Sequence, residues 1–347
     1  RECKGLLIEE ERQNWAYNSY RANNDYGGGG ATYDDMGYNM INNAVTINDF
    51  GTAPDGTNTA TKMYPASSGG ARGIELQMSL SSTGNWTNSI YVKAAGHTGW
   101  IALYGVNGGA RAYFNPSTGA KGGSSGTNAP SSGKYGIQDV GNGWYRIHIT
   151  VNLTTTGGTD YHYIYFGDSD NSTNVTASGT NGILMWGLQV EKGDYPTSYI
   201  RTDSNHRVIR GADQCFINGQ DLTNFYNQSE GTIIADYKVI QGDPEIFYLS
   251  NNTSSKRIGL YEAGSSQTRF IIGNSGTQAD TTDSAGTTVG DNIKSSGAYK
   301  LNDIVAAKNG VISSTDSSAT IPDGIDRAWI GGYYDGTVQG VLGLRRL

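Results

Sequence analysis

The chain has 347 residues and a formal net charge of −7, and only 16% of its residues are charged. Its 50 glycines and 23 tyrosines stand beside 7 prolines, a composition typical of many short strands joined by tight turns and not of a helical bundle. Lysines and arginines are scattered, with no run longer than an adjacent pair, and no apolar run reaches the roughly 18 residues of a membrane span. We therefore expect neither nucleic-acid binding nor membrane insertion.

Strand-like segments follow one another through the first half of the chain at a spacing of roughly 8 to 12 residues, as in a sandwich or barrel. They are predicted at 73–80, 86–94, 99–104, 110–114, 136–140, 144–152, 160–166 and 182–191. Asn-Gly pairs at 107–108, 142–143 and 181–182 lie between them and accept the positive φ of tight turns. This pattern predicts a two-sheet antiparallel jelly roll.

The segment 182–191 is predicted to be the closing strand of the jelly roll. With a period of two, Leu184, Trp186, Leu188 and Val190 share one side, and Gln189 and Glu191 share the other. Ile183 and Met185 are apolar on the second side, so we expect the strand to begin buried on both faces. Trp186 is thereby predicted to face the core.

A second series of strands begins at Gly231. The sequence GTIIADYKV places alternate apolar side chains on one face, and the Asn-Gly pair at 309–310 predicts a hairpin turn. Charged residues interrupt the strand pattern before Gly231. We predict a jelly roll in residues 1–203, a junction in 204–228 and a smaller sandwich in 229–347, which makes the whole chain all-β with two tandem antiparallel sandwiches.

The two cysteines, Cys3 and Cys215, lack the number and spacing of a disulfide framework or a metal site. Cys3 precedes the first strand and Cys215 follows the exit of the predicted first domain. The two could therefore lie close enough to pair, or they could be two free thiols.

Several motifs resemble a recurrent module of bacteriophage virion proteins. They are GLLIEEER near the start, APDGTNTATKM, SIYVKAAG, DVGNGWYRIHIT, GLQVEKGDYPTSYIRT and RVIRGAD. In that family the module is a jelly roll similar to carbohydrate-binding modules, found in tail fibres and other appendages that contact the host. The second half, from GTIIADYKV to GLRRL, resembles a concanavalin A-like or laminin-G-like sandwich that often follows it.

The resemblance implies a function at the surface of a phage particle. We expect a homotrimer that contacts other virion proteins and binds host-surface polysaccharide. The resemblance carries no catalytic residue over to this chain. The segment 23–43 is longer and richer in Gly and Asn than the family pattern, and Arg-Thr-Asp at 201–203 stands where a proline is common. Both departures leave the domain junction open.

A possible glycan groove follows from strand parity. Sugars are recognised by aromatic faces and by amide, carboxylate and guanidinium groups. If Ile90, Val92, Ile101, Leu103, Ile147 and Ile149 point into the core, the outward positions hold a suitable set of side chains. That set is Tyr91, Lys93, Trp100, Tyr104, Arg146 and His148. The same outer face could instead pack on another subunit or module.

Oxygen-rich turns could hold calcium. The candidates are Asp168, Asp170 and Asn171 in GDSDNS, and Asp55 with Asn58. The alternative is that these residues form Asx turns at strand ends. We predict no cofactor beyond such a possible calcium ion.

Catalysis is disfavoured by the sequence. The pattern Glu-x-Asp-x-x-Glu, with which a sandwich hydrolase supplies its carboxylates, is absent, and neither GxSxG nor HExxH occurs. His148 and His162 could be neighbours across adjacent strands. A glycan-binding appendage is therefore the first hypothesis, a purely structural virion module the second, and a polysaccharide depolymerase the third.

Overall fold

The computed structural model describes residues 5–17, 19, 39–106, 109–203, 207–241, 243–263, 267–282, 286, 288, 290–338 and 341–347. It divides into two compact units, Arg12–Arg210 and the combination of Arg1–Glu11 with Gly211–Leu347. We call them the first and the second sandwich. The predicted turn at 107–108, Cys3, His206 and most of the segment 23–43 lie outside the described residues.

Most strands from the start of the chain to the end of the first sandwich are short, and the strands that pair run antiparallel. In chain order they are β1 Leu6–Ile8, β2 Arg12–Asn14, β3 Asn39–Ile41, β4 Ala44–Gly51, β5 Ala60–Pro65, β6 Gly69–Gly70, β7 Gly73–Met78, β8 Gly84–Ala95, β9 Trp100–Tyr104, β10 Arg111–Asn115, β11 Ala120–Ser125, β12 Tyr135–Gly141, β13 Trp144–Leu153, β14 Asp160–Gly167, β15 Asn174–Val175, β16 Gly182–Lys192 and β17 Val208–Arg210. A 3-10 turn at Ser132–Lys134 precedes β12.

The remaining strands belong to the second sandwich, together with the short helix α1 Gly219–Thr223. They are β18 Phe216–Asn218, β19 Glu230–Gln241, β20 Glu245–Ser250, β21 Lys256–Ala263, β22 Gln267–Asn274, β23 Thr277–Thr282, β24 Asn292–Lys300, β25 Asp303–Lys308, β26 Val311–Ile312, β27 Arg327–Ile330 and β28 Val341–Arg346. In the described part of the chain, no helix has the length and apolar character needed to cross a membrane. The predicted all-β class is confirmed.

The first sandwich contains two antiparallel sheets of six strands, together with the two-stranded pairs β6-β15 and β2-β17. Sheet I has the order β11-β10-β9-β14-β7-β3, and sheet II has the order β12-β13-β8-β16-β5-β4. The core lies between them because alternate residues of both sheets point inward. The six residues predicted to be inward are all in this core: Ile90, Val92, Ile101, Leu103, Ile147 and Ile149.

A bulge in β16 changes which side chains face the core. The pairing of β16 with β8 shifts between Trp186 and Gln189, and Gly187 adopts φ +68. One extra residue reverses the side-chain alternation beyond it. Leu188 and Val190 are therefore in the main core, whereas Trp186 lies on the outer face of sheet II. The prediction that Trp186 faces the core was wrong for this reason.

The second sandwich also has two six-stranded antiparallel sheets. Sheet III has the order β1-β28-β19-β24-β25-β26, and sheet IV has the order β18-β27-β20-β21-β22-β23. Strand β1 pairs with β28, from Leu6 opposite Leu344 to Ile8 opposite Leu342. The predicted domain bounds, which placed residue 1 onward in the jelly roll, are therefore corrected: residues up to Glu11 belong to the second sandwich.

Two of the predicted Asn-Gly turns are hairpins. Asn142 and Gly143 join β12 to β13 with φ values of 55 and 76, and Asn309 and Gly310 join β25 to β26 with φ values of 48 and 87. Both pairs have the two positive φ values of a type I′ turn, which matches the strand twist. The pair at 181–182 forms no hairpin, because Gly182 already lies in β16.

Candidate functional site

The six residues predicted to form one groove lie on two different sheets. All six are on outward positions, as their parity predicted. Trp100 and Tyr104 are in β9 of sheet I. The other four are in β8 and β13 of sheet II: Tyr91, Lys93, Arg146 and His148. Because the outer faces of a sandwich point in opposite directions, the six cannot line a single groove, and that prediction is corrected.

The outer face of sheet II is covered by the chain that follows β16. The Tyr199 ring lies 4.4 Å from the Trp186 ring and 6.4 Å from the Tyr91 ring, measured between centroids. Arg146 is only 9% exposed and donates from Nη2 to the Ser89 hydroxyl at 2.9 Å. These aromatic and guanidinium groups are therefore occupied within the first sandwich and are not offered to a ligand.

Hydrogen bonds fix this covering segment, which we call the clasp (residues 195–202). The backbone N–H and hydroxyl of Thr197 donate to the Glu191 carboxylate at 2.9 and 2.7 Å. Gln189 accepts from the backbone N–H of Ile200 at 2.7 Å. Burial raises the pKa of Glu191, and the hydrogen bonds from Gln189 and Thr197 oppose that shift. The polar residues that we predicted to face away from the core thus serve to hold the clasp.

His148 and His162 are not neighbours. They lie in β13 of sheet II and β14 of sheet I, which excludes the arrangement in which they would be neighbours across adjacent strands. Burial, together with the positive charges of Arg146 and Lys121, lowers the pKa of His148 to about 4. Burial lowers the pKa of His162 to about 3. Both imidazoles are therefore neutral at neutral pH.

The outer face of sheet I carries a different set of side chains, which we call the tyrosine face. Its members are Trp100, Tyr104, Tyr113, Tyr161, Tyr163 and Tyr165. In β14 the sequence DYHYIYFG alternates strictly, so three tyrosines point outward while His162, Ile164 and Phe166 point into the interior. The run Tyr-x-Tyr-x-Tyr is visible in the sequence, but we did not include it among the predicted site residues.

The rings of the tyrosine face form a connected array. Tyr161 and Tyr163 are stacked with centroids 5.7 Å apart and ring planes at 6°, and Tyr163 and Tyr165 are 5.2 Å apart at 28°. The Tyr104 ring meets Tyr163 and Tyr165 edge-on at 5.4 and 5.2 Å. Tyr104 and Tyr165 are buried, whereas Tyr161 and Tyr163 are partly exposed. The buried rings therefore fix the positions of the exposed ones.

Trp100 lies toward one edge of the same face and is partly exposed. Its ring lies against Gly122 of the edge strand β11, where an added Cβ would be 2.6 Å from the indole. The glycine therefore allows the indole to approach the backbone closely.

A row of polar and aromatic residues crosses sheet I at right angles to its strands. Arg111 of β10 is opposite Tyr104 of β9, and Tyr163 of β14 is opposite Glu75 of β7. Glu75 is in turn opposite Asn39 of β3. The contact between the Tyr104 and Tyr163 rings joins the two halves. Cross-strand neighbours of this kind hold one another in place.

The two ends of this row differ in charge. Arg111 donates to the hydroxyls of Tyr113 at 2.8 Å, Ser125 at 3.0 Å and Tyr104 at 3.3 Å. Burial lowers the pKa of Arg111, but its interactions with the two tyrosines outweigh that effect and the pKa is raised. Glu75 accepts from the Gln77 amide at 2.6 Å. The face therefore has a cation at one end and a carboxylate at the other.

The predicted calcium residues are engaged in hydrogen bonds within the first sandwich. The N–H and hydroxyl of Thr57 donate to Asp55 Oδ1 at 2.9 and 2.7 Å, and those of Thr176 donate to Asp168. Asp170 accepts from the backbone N–H of Gly123. The carboxylate of Asp55 thus makes the Asx-turn contact of the alternative interpretation, whereas that of Asp168 bonds a residue eight positions later. Among the described residues, no three His, Cys, Asp or Glu side chains are grouped as a metal site would require.

Cys215 carries a free, partly buried thiol whose pKa is raised by burial. This favours the alternative in which the two cysteines are not paired. The other cysteine, Cys3, is outside the described part of the chain.

Comparison with known proteins gives no family. No family model and no curated protein matches the chain. Among solved structures, the chain is similar to domains LG4-5 of the mouse laminin α1 chain, with 11% identity, 88% of each chain covered and a TM-score of 0.27. It is also similar to the LG1-3 region of the laminin α2 chain, with 10% identity, a TM-score of 0.29, and coverage of 78% of this chain and 63% of that one.

Proposed function

We propose that the chain is a non-catalytic component of a phage-particle appendage, a fibre or spike, and that it binds host-surface polysaccharide through the tyrosine face. The chemistry of that face supports the ligand class. The resemblance of the sequence motifs to virion modules supports the location. In this proposal the first sandwich provides recognition, and the second sandwich is a structural or accessory module.

The observation that carries the proposal is the combination of partly exposed, stacked tyrosines with hydrogen-bonding groups in one row. The ring faces of Tyr161, Tyr163 and Trp100 can lie against the C–H surfaces of sugar rings. The partly exposed side chains of Gln77, Arg111 and Tyr161 can exchange hydrogen bonds with sugar hydroxyls, since the amide and guanidinium groups donate and the phenol hydroxyl can also accept. Apolar faces with a few fixed polar groups are typical of small-ligand and sugar sites.

The experiment is a screen of the full chain against an array of bacterial capsular and O-antigen polysaccharides. We expect saturable binding that Tyr163→Ala and Trp100→Ala each weaken about tenfold, because each removes one stacking surface. Tyr64→Ala is the matched control, because Tyr64 is a partly buried tyrosine in β5 of the opposite sheet. Equal affinities of the parent and the two face variants would exclude the tyrosine face as the site.

A purely structural role is the second candidate, and exposed apolar side chains of the second sandwich favour it. Ile234 of β19 is 65% exposed, and Ile312 of the edge strand β26 is 72% exposed. Both lie in sheet III, and exposed apolar patches mark sites of protein–protein contact. The expected homotrimer would account for them. Sedimentation equilibrium should then give a trimer that Ile234→Ser with Ile312→Ser dissociates, and a monomeric parent chain would contradict this role.

Absence of catalysis is a separate part of the proposal. A depolymerase would accumulate reducing ends when incubated with a polysaccharide that the chain binds. We expect no increase over a buffer control. A steady release of reducing ends would replace the binding function with the hydrolytic one.

A further inference from the structure

We propose that the tyrosine face selects acidic polysaccharides, and that Arg111 binds the carboxylate of a uronic acid residue. This inference rests on the proposed function and specifies its ligand class. It goes further than glycan binding in general, because a neutral polysaccharide would also satisfy the aromatic rings.

The partners of Arg111 are uncharged. Its guanidinium donates to three hydroxyls, those of Tyr104, Tyr113 and Ser125. No carboxylate of the described residues lies within ion-pair distance of it. Hydroxyl partners orient a guanidinium without neutralising it, and a guanidinium is a planar donor that matches a carboxylate with two parallel hydrogen bonds. The full positive charge therefore remains available to an anionic ligand.

Arg111 is also accessible, in contrast to the arginine on the opposite face. Arg146 also donates to a hydroxyl, but it is only 9% exposed, on the outer face of sheet II that the clasp covers. Arg111 is partly exposed and stands next to the ring of Tyr104, with its guanidinium carbon 5.4 Å from the ring centroid. It is thus fixed on the face where we propose the sugars bind.

The carboxylate of Glu75 does not cancel this charge. Arg111 in β10 and Glu75 in β7 are three strands apart in sheet I. At about 4.8 Å per strand, that separation is roughly 14 Å. It exceeds the screening length of about 8 Å at physiological ionic strength, so the two ends act locally. An acidic sugar therefore fits the Arg111 end of the row.

The charge of the whole chain makes the inference testable. With a net charge of −7, the protein has no general attraction for a polyanion. Binding of an acidic polymer would therefore depend on a local cation. Replacing that cation alone would abolish such binding, whereas non-specific electrostatic capture would be insensitive to a single substitution.

The test compares each uronic-acid-containing capsular polysaccharide with its own carboxyl-reduced form, in which the carboxylate has become a hydroxymethyl group. We expect the full chain to bind acidic polymers about 10- to 100-fold more tightly than their reduced forms, the range for one hydrogen-bonded charge pair. Arg111→Gln should lose this preference, and Arg111→Lys should keep part of it. Lys93→Gln, which removes one positive charge from sheet II, should leave it unchanged.

Melting followed by circular dichroism checks that the Arg111 variants are folded. Equal binding of the acidic and reduced polymers by the parent chain, or hits among neutral polymers only, would overturn the acidic class and leave the proposed function standing. If the parent chain binds no polysaccharide on the array, the proposed function fails and this inference fails with it.

Discussion

The buried histidine of the first sandwich makes a quantitative prediction about stability and pH. His162 is fully buried on the inward side of β14, and its Nδ1 accepts a hydrogen bond of 2.8 Å from the Asn88 amide nitrogen. Burial lowers its pKa from 6.5 to about 3. Protonation would place a charge in the interior, so the folded protein keeps this imidazole neutral through the mildly acidic range.

The magnitude follows from linkage. Between pH 6.5 and about 3, the unfolded chain binds a proton at His162 that the folded chain does not bind. The contribution of His162 to the free energy of unfolding therefore falls as the pH falls through this range and is constant below it. The difference between the two pKa values corresponds to a loss of roughly 5 kcal/mol, which is comparable to the whole stability of many domains.

His162→Asn tests this prediction, because an asparagine can present an acceptor near the position of Nδ1 and does not titrate. We expect the variant to be less stable at pH 7 but to lose much less stability between pH 7 and 4. Some dependence of the variant's stability on pH remains, since His148 has a pKa lowered to about 4 and acts in the same direction. Comparing variant and parent isolates the contribution of His162.

The assay is urea unfolding at several pH values, followed by tryptophan fluorescence. Five of the six tryptophans lie in the first sandwich, and Trp329 alone lies in the second, so the signal reports mainly the unit that contains His162. Parallel stability curves for parent and variant would refute the reasoning, because they would mean that His162 titrates normally in the folded protein.

Three further substitutions, one of them with a matched control, test the packing. Gly187→Val should lower the free energy of unfolding in urea by about 1 to 3 kcal/mol, because it places a branched side chain at positive φ in the bulge. Gly133→Ala is the matched control, because an added Cβ there meets no atom within 4 Å and the free energy of unfolding should change little. Asn14→Ala should destabilise the first sandwich by roughly 3 kcal/mol or more in urea unfolding, since its fully buried side chain makes four hydrogen bonds. Gly297→Ala should lower the melting temperature of the second sandwich in calorimetry, because the new Cβ overlaps the Phe270 ring and overpacking costs about 1 to 3 kcal/mol. Stability equal to that of the parent in Gly187→Val, Asn14→Ala or Gly297→Ala would contradict the corresponding contact.

The period-two pattern predicted the interior of the first sandwich well. The inward positions of β8, β9 and β13 follow from local alternation, and their outer positions follow with them. Alternation does not tell which sheet a strand joins. The chain passes from β8 in sheet II to β9 in sheet I within a few residues, so side chains close in sequence are on opposite faces of the molecule. The prediction of a single groove was wrong because the sheet that a strand joins is set by non-local pairing.

Two other differences have similar causes. Gly187 was visible in the sequence, but a bulge is set by pairing with β8, and one inserted residue reverses the side-chain alternation. Strand β1 pairs with β28 near the other end of the chain, a contact that no local pattern contains. In contrast, the alternating tyrosines 161, 163 and 165 could have been recognised as an outward row from their spacing alone.

The most direct test of the central claim is calorimetric titration of a polysaccharide that the chain binds into the parent protein and into Tyr163→Ala. The claim predicts a saturable isotherm for the parent and an affinity about tenfold lower for the variant, while the urea midpoint of the variant stays near that of the parent. The same affinity for both proteins would contradict it, because the glycan would then bind elsewhere than on the tyrosine face.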